Sequence, residues 1–303
     1  MEHFGYDRIL IPTDLSDFGS LALRYAAMFH ERLGSRLTLM FADESYFPMD
    51  VFEMPAAYYL ENAPETRLKL QERLRAYADA QLPGVPLETT VVDNAPSRAI
   101  VSTAKQMRAD LIVMGTHGRR GWRRALLGSV TEAVLHETNV PVLTVTPAIM
   151  DGASTPAIRT IVCPVNFTYV ARESLHHASV LAEAFDAELL VVYVAEAIET
   201  PKLPEVEAAF SLWVGPAVRD RVRYRLSVVG EGEPAECVLA TAADVDADLI
   251  VLGAQHKFFS DATVIGATTQ RVTRFARCPV LTVVRKAQAE LELEVEESEL
   301  VHA

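Results

Sequence analysis

Apolar and polar positions fall into alternating short blocks. Arg8–Thr13 is an apolar run that predicts a buried strand. Ser16–Leu33 follows with Leu21, Leu23, Tyr25, Ala26, Phe29 and Leu33 at helical spacing and Ser16 at the N-cap. The same reading predicts strands over Arg36–Ala42, Leu87–Val92, Leu111–Met114 and Val142–Thr146, and helices over Glu65–Gln81, Ser97–Met107 and Ser129–Thr138. Apolar strands alternating with helices imply a parallel sheet covered on both faces.

The pattern is written twice. Asp110-Leu-Ile-Val-Met-Gly115 returns as Asp248-Leu-Ile-Val-Leu-Gly253, and Pro141-Val-Leu-Thr-Val145 returns unchanged as Pro279-Val-Leu-Thr-Val283, each 138 residues on (248 − 110 and 279 − 141). Ile11-Pro-Thr-Asp14 answers to Cys163-Pro-Val-Asn166 at an offset of 152 (163 − 11). The first copy therefore carries about 14 extra residues, placed at Ser45–Pro64, where Tyr46, Phe47, Met49, Phe52, Met54, Tyr58 and Tyr59 cluster. The fold class expected is α/β: two tandem doubly wound domains, each with a five-stranded parallel sheet and helices on both faces. The domains are 1–148 and 157–286, joined by a stretch of linker composition at Asp151–Pro156 and followed by an acidic tail, 287–303.

Charge narrows the function. Lys+Arg 28 against Asp+Glu 41 leaves a net charge of −13, which disfavours a nucleic-acid partner. No signal peptide and no membrane span are expected, so the protein is read as cytoplasmic. Cys163, Cys237 and Cys278 lack the number for a disulfide framework and the spacing of a zinc site, and are read as buried small hydrophobes.

Candidate chemistry lies at the carboxyl ends of strands, where doubly wound sheets bind ligands. One element is Pro12-Thr-Asp14 and the other the loop Gly115-x2-Gly118-x9-Gly128-Ser129-Val130. Gly115 and Gly118 permit a tight turn and close backbone approach to a ligand. Gly128, Ser129 and Val130 open a helix whose N–H groups suit a phosphate, with the Ser129 hydroxyl as a further donor. The loop is neither a P-loop nor a G-x-G-x-x-G. Two plainer roles stand beside these: the glycines make a turn, and Asp14 and Ser129 cap helices.

The spacing of this loop, with Ile9-Leu-Ile-Pro-Thr-Asp14, Asp110–Gly115 and Pro141–Val145, resembles the G-2x-G-9x-G-[S/T] signature of ATP-binding universal stress proteins. The resemblance spans nearly the whole chain as two tandem copies. It implies that Pro12 and Asp14 meet adenine and ribose, that the Ala42 backbone reads the adenine edge, and that Met114 and Gly115 line the ribose. It further implies that Gly118, Gly128, Ser129 and Val130 hold the phosphates of ATP, with or without Mg2+. Arg119, Arg120, Arg123 and Arg124 either offset phosphate charge or form a solvated basic loop, and His117 is not assigned a catalytic part. No catalytic residue and no metal ligand are assigned.

The second copy departs from the signature. His256 stands at the second glycine, Ala267 at the hydroxyl residue with Thr268 one step on, Asn166 at the acid, and Lys257 with two phenylalanines where four arginines were. It is expected to bind ATP weakly or not at all. In this family the last strand is commonly a dimerisation edge, so the two Pro-Val-Leu-Thr-Val strands are expected to pair as an internal pseudo-dimer, with a homodimer as a further possibility. The 45–64 segment is read as lid, interface or core. Three functions remain open: a nucleotide-dependent stress-response regulator with an unidentified protein partner, a slow ATPase or phosphotransferase, and a non-nucleotide scaffold.

Overall fold

The computed structural model describes residues 5–44, 56–116, 127–146, 156–195, 202–214, 224–229, 232–254 and 265–284, and the side chains of 17, 18 and 56–66 lie outside that description. The expectations for the linker, the acidic tail, residues 45–55 and the loop residues 117–126 and 255–264 fall outside the described residues.

Two compact units partition the chain, one over Gly5–Val134 and the other beginning at Leu135. In the first unit the order is β1 (Arg8–Thr13), α1 (Asp17–Leu33), β2 (Arg36–Asp43), α2 (Ala56–Gln81), β3 (Leu87–Asp93), α3 (Pro96–Gln106), β4 (Leu111–Gly115) and the start of α4 (Ser129–Glu137). Its strands lie in the order β3-β2-β1-β4, all parallel. Ile9, Leu10 and Ile11 are fully buried at its centre, and Leu23, Ala26 and Phe29 of α1, which packs on β1, are buried as well. Gly34 ends α1 at φ 72°, where its N–H donates to the His30 carbonyl, a left-handed cap that suits a residue without Cβ.

The edge strand β3 is covered by α2. Gln71 Nε2 donates to the Thr89 carbonyl at 2.9 Å, and Arg67 donates to the Val91 carbonyl at 3.1 Å and to Asp93 at 2.7 Å.

The second unit contains β5 (Val142–Val145), β6 (Thr160–Val165), α5 (Tyr169–Phe185), β7 (Glu188–Val194), α6 (Leu203–Trp213), β8 (Tyr224–Val229), α7 (Pro234–Asp244), β9 (Leu249–Ala254), α8 (Ala267–Phe275) and β10 (Val280–Val284). Its strands run β5-β10-β9-β6-β7-β8. All pairs from β10 to β8 are parallel, but β10 meets β5 antiparallel, with Leu281 opposite Leu143. The last strands of the two sequence copies thus pair with each other within one chain.

The repeat is visible in detail. β6, α5 and β7 begin 152 residues after β1, α1 and β2, while β9, α8 and β10 begin 138 after β4, α4 and β5. The length difference falls between the second and third strands of each copy, where α2 has 26 residues and α6 has 11. α2 begins at Ala56, so the extra segment is helical in its second half. Asp110 and Asp248 serve one purpose at the amino end of their sheets. Asp110 accepts from the Arg8 N–H at 2.9 Å, and Asp248 from the Arg159 and Thr160 N–H groups at 2.8 and 3.0 Å. The acid that opens the repeated motif therefore locks a neighbouring strand, at the end of the sheet opposite the candidate site.

Cys163 and Cys278 are buried, as expected, whereas Cys237 is only half-buried. Among the described residues no helix is long and apolar enough to cross a membrane.

Candidate functional site

Parallel strands bring their carboxyl ends to one edge of the sheet. Pro12 pairs in register with Met40 and Thr13 with Phe41, and Ala42 follows one step further along β2. Ile9 and Leu10 pair with Leu111 and Ile112, and continuing that register sets Pro12 and Thr13 level with Met114 and Gly115. Pro12, Asp14, Ala42, Met114 and Gly115 thus share one end of three adjacent strands. Met114 is buried, while Pro12, Asp14, Ala42 and Gly115 are half-buried.

Local hydrogen bonds fix how the chain leaves β1. Leu15 takes a left-handed conformation at φ 61°. The turn is held by the Leu15 N–H donating to Thr13 Oγ1 at 3.0 Å and by the Ser16 N–H donating to Asp14 Oδ1 at 3.0 Å, with the Ser16 hydroxyl donating to the same oxygen. Ser16 is the N-cap of α1, but its side chain makes no capping bond because it faces Asp14. Tyr77 of α2 donates its hydroxyl proton to the Ser16 carbonyl at 2.9 Å and anchors the turn from outside. At Gly19 a Cβ would stand 2.6 Å from Thr13 Oγ1, so the first turn of α1 needs the missing side chain to lie this close to β1.

The same frame recurs in the second unit. Phe167 is left-handed at φ 60°, and Thr168 donates through its N–H (3.4 Å) and hydroxyl (2.7 Å) to Asn166 Oδ1. An amide oxygen is therefore sufficient for this turn.

On the other side of the site, α4 is tied to the end of β4 at two points. The Gly128 N–H donates to the Thr116 carbonyl at 2.8 Å, and Thr131 Oγ1 donates to the Gly115 carbonyl at 3.0 Å. The loop between Thr116 and Gly128 therefore leaves and returns at one place. The first bond commits the Gly128 N–H to the protein. The donors at the start of α4 are then the Ser129 and Val130 amides, which have no intrahelical acceptor in the first turn, and the exposed Ser129 hydroxyl. Gly118 and the loop arginines Arg119, Arg120, Arg123 and Arg124, with His117, lie outside the described residues, as do His256 and Lys257.

Thr131 escaped the sequence reading, although a signal was present. Thr269, 138 residues on, is the same residue type, and its hydroxyl donates to the Gly253 carbonyl at 2.8 Å. A threonine kept in both copies, when Ser129 has become Ala267, marks a structural tie that does not depend on the ligand loop. Gly253 also has a packing reason. A Cβ there would run into Val170 Cγ1 and lie 2.9 Å from Ser174 Oγ of α5. In the second copy the first loop glycine is thus required by helix packing.

Chemically, the first copy presents a carboxylate, strand-end backbone and two first-turn amides on one sheet edge. A carboxylate accepts from hydroxyls, and the amides, at the positive end of the helix dipole, donate to anionic oxygens.

The comparisons agree with this architecture. Universal stress protein Rv2005c of Mycobacterium tuberculosis is 36% identical over 135 residues, covering 45% of this chain and 44% of that protein. The chain therefore spans less than half the length of that relative. Universal stress protein MJ0531 of Methanocaldococcus jannaschii is 32% identical over 145 residues, 46% of this chain and 82% of that one. The crystal structure of a universal stress protein from Archaeoglobus fulgidus superposes with a TM-score of 0.68 at 21% identity, covering 93% of this chain and 99% of that one, and so shows the fold. A family model for the universal stress protein family matches residues 5–146 and 216–284, more than half of the chain. With two such regions carried by two copies of one strand-and-helix order, this chain belongs to the universal stress protein family.

Proposed function

We propose that the first copy, residues 1–148, binds one adenine nucleotide, ATP, and that its occupancy governs contact with a protein partner in a stress response. One observation carries the reading. The Asx turn after the first strand recurs in both copies, yet only the first places a carboxylate there, at Asp14, and opens the facing helix directly on a hydroxyl residue, Ser129, where the second has Ala267 followed by Thr268. A carboxylate and a helix-opening hydroxyl on one sheet edge are what a ribose and a phosphate would meet.

The residues suit the ligand. Asp14 accepts from ribose hydroxyls, the Ala42 backbone meets the adenine edge, and Pro12, Met114 and Gly115 wall the nucleoside. Ser129 and Val130 donate to phosphate oxygens, with Gly118, free of a Cβ, for close backbone approach to them and Gly128 shaping the helix start. Among the described residues no three His, Cys, Asp or Glu side chains form a metal site, so Mg2+ enters this reading only as the ion carried by the triphosphate.

Calorimetry on the full chain tests it. ATP is expected to bind with a stoichiometry of one and a dissociation constant on the order of micromolar. Asp14→Asn and Ser129→Ala, which copy the second repeat, should each weaken binding by about tenfold while leaving the fold unchanged. Absence of heat with ATP, ADP and AMP, or two equal sites per chain, would refute the proposal.

A further inference from the structure

The second unit puts something else at the corresponding sheet edge. Phe167, in the turn after β6, stacks on Tyr193 near the end of β7 with ring centroids 5.1 Å apart at 24°. Trp213, at the end of α6, meets Phe167 edge to face at 5.5 Å, and the Arg172 guanidinium of α5 lies 5.6 Å from the Trp213 ring centroid. Trp213 Nε1 and Arg172 Nε are both buried without a hydrogen-bond partner. Among the described residues no carboxylate pairs with Arg172. Two polar donors withheld from water with no acceptor are unusual in a folded protein and ask for one.

From this we infer that the second repeat takes a planar aromatic carboxylate at this aromatic cluster. The stacked Phe167 and Tyr193 rings supply an aromatic surface against which a further ring packs. Arg172 and the indole N–H supply a positive charge and a second donor, the pair that a carboxylate can accept from with its two oxygens. The location is the carboxyl edge of a doubly wound sheet, where ligands of this fold class enter. No glycine loop belongs to this cluster, and at the start of α5 the Thr168 side chain already accepts from the Ala171 N–H, which makes a phosphate a poorer match. The inference is independent of nucleotide binding in the first copy.

The chain has two tryptophans, so Trp122→Phe leaves Trp213 as the sole indole reporter. In that background, without nucleotide, phenylacetate should change Trp213 emission saturably and move its single indole N–H resonance. Phenylacetamide and phenyl phosphate should act at least about tenfold more weakly, and Arg172→Gln should weaken phenylacetate by a similar factor. If Arg172→Gln does not fold, the comparison of phenylacetate with phenylacetamide in the parent decides. A flat phenylacetate titration to about 10 mM, an equal response to phenylacetamide, or a stronger response to phenyl phosphate overturns the inference.

Discussion

Thr144 Oγ1 donates to the Val280 carbonyl at 3.1 Å across the antiparallel junction of β5 and β10. Thr282, at the matching place in the second copy, is buried with its hydroxyl unpartnered. The two threonines should therefore respond oppositely to the same change. Thr144→Val should lower stability by about 1 kcal/mol, while Thr282→Val should be neutral or stabilising by a similar amount. Urea unfolding midpoints of the two variants check this, and equal losses would contradict the asymmetry.

A methyl group at Gly253 has no room. Gly253→Ala pushes α5 away from β9 at Val170 and Ser174, and a loss of roughly 1–3 kcal/mol is expected. Chemical denaturation gives the value. A variant as stable as the parent would mean the second-copy glycine is not held by packing.

Acid should destabilise the second unit through one side chain. Burial, and then the neighbouring charge of His176, hold the His177 imidazole down at about 4, below its ordinary 6.5. The unfolded chain then binds the extra proton between those values. Stability is full above about 6.5, falls as the pH drops through that window, and levels off below 4. By linkage the contribution lost between pH 7.5 and 5 is roughly 2 kcal/mol, and His177→Gln should flatten that part of the stability profile.

Thiol reactivity should separate the cysteines. Burial pushes the Cys278 thiol up to about 12 and raises that of Cys163 as well, whereas Cys237 is half-buried. A disulfide reagent near pH 8 is expected to label Cys237 first, with all three labelled only after unfolding. Rapid labelling of Cys163 in the native protein would show that β6 opens.

Most strands and helices could be read from the sequence because the cause is local. The apolar runs Arg8–Thr13 and Leu111–Gly115 are buried on both faces and became β1 and β4. The helix expected from Ser16 begins at Asp17 and ends, as expected, at Leu33. Pairing between the two last strands was expected from the family resemblance together with their identical sequence, since an apolar strand edge needs a cover. What escaped depends on atoms brought together over distance. Periodicity does not tell that the Gly128 N–H is spent on Thr116, or that Thr131 reaches Gly115. The aromatic cluster was hidden for the same reason, because Phe167, Tyr193 and Trp213 lie far apart along the chain and α6 is much shorter than its counterpart α2.

The covering of β3 by Gln71 and Arg67 has a consequence for assembly. A strand arriving at that border would find the Thr89 and Val91 oxygens already engaged, and would have to peel α2 away before any ladder could form. Lateral growth by strand addition is blocked on that flank by the chain's own side chains, which guards against runaway polymerisation there.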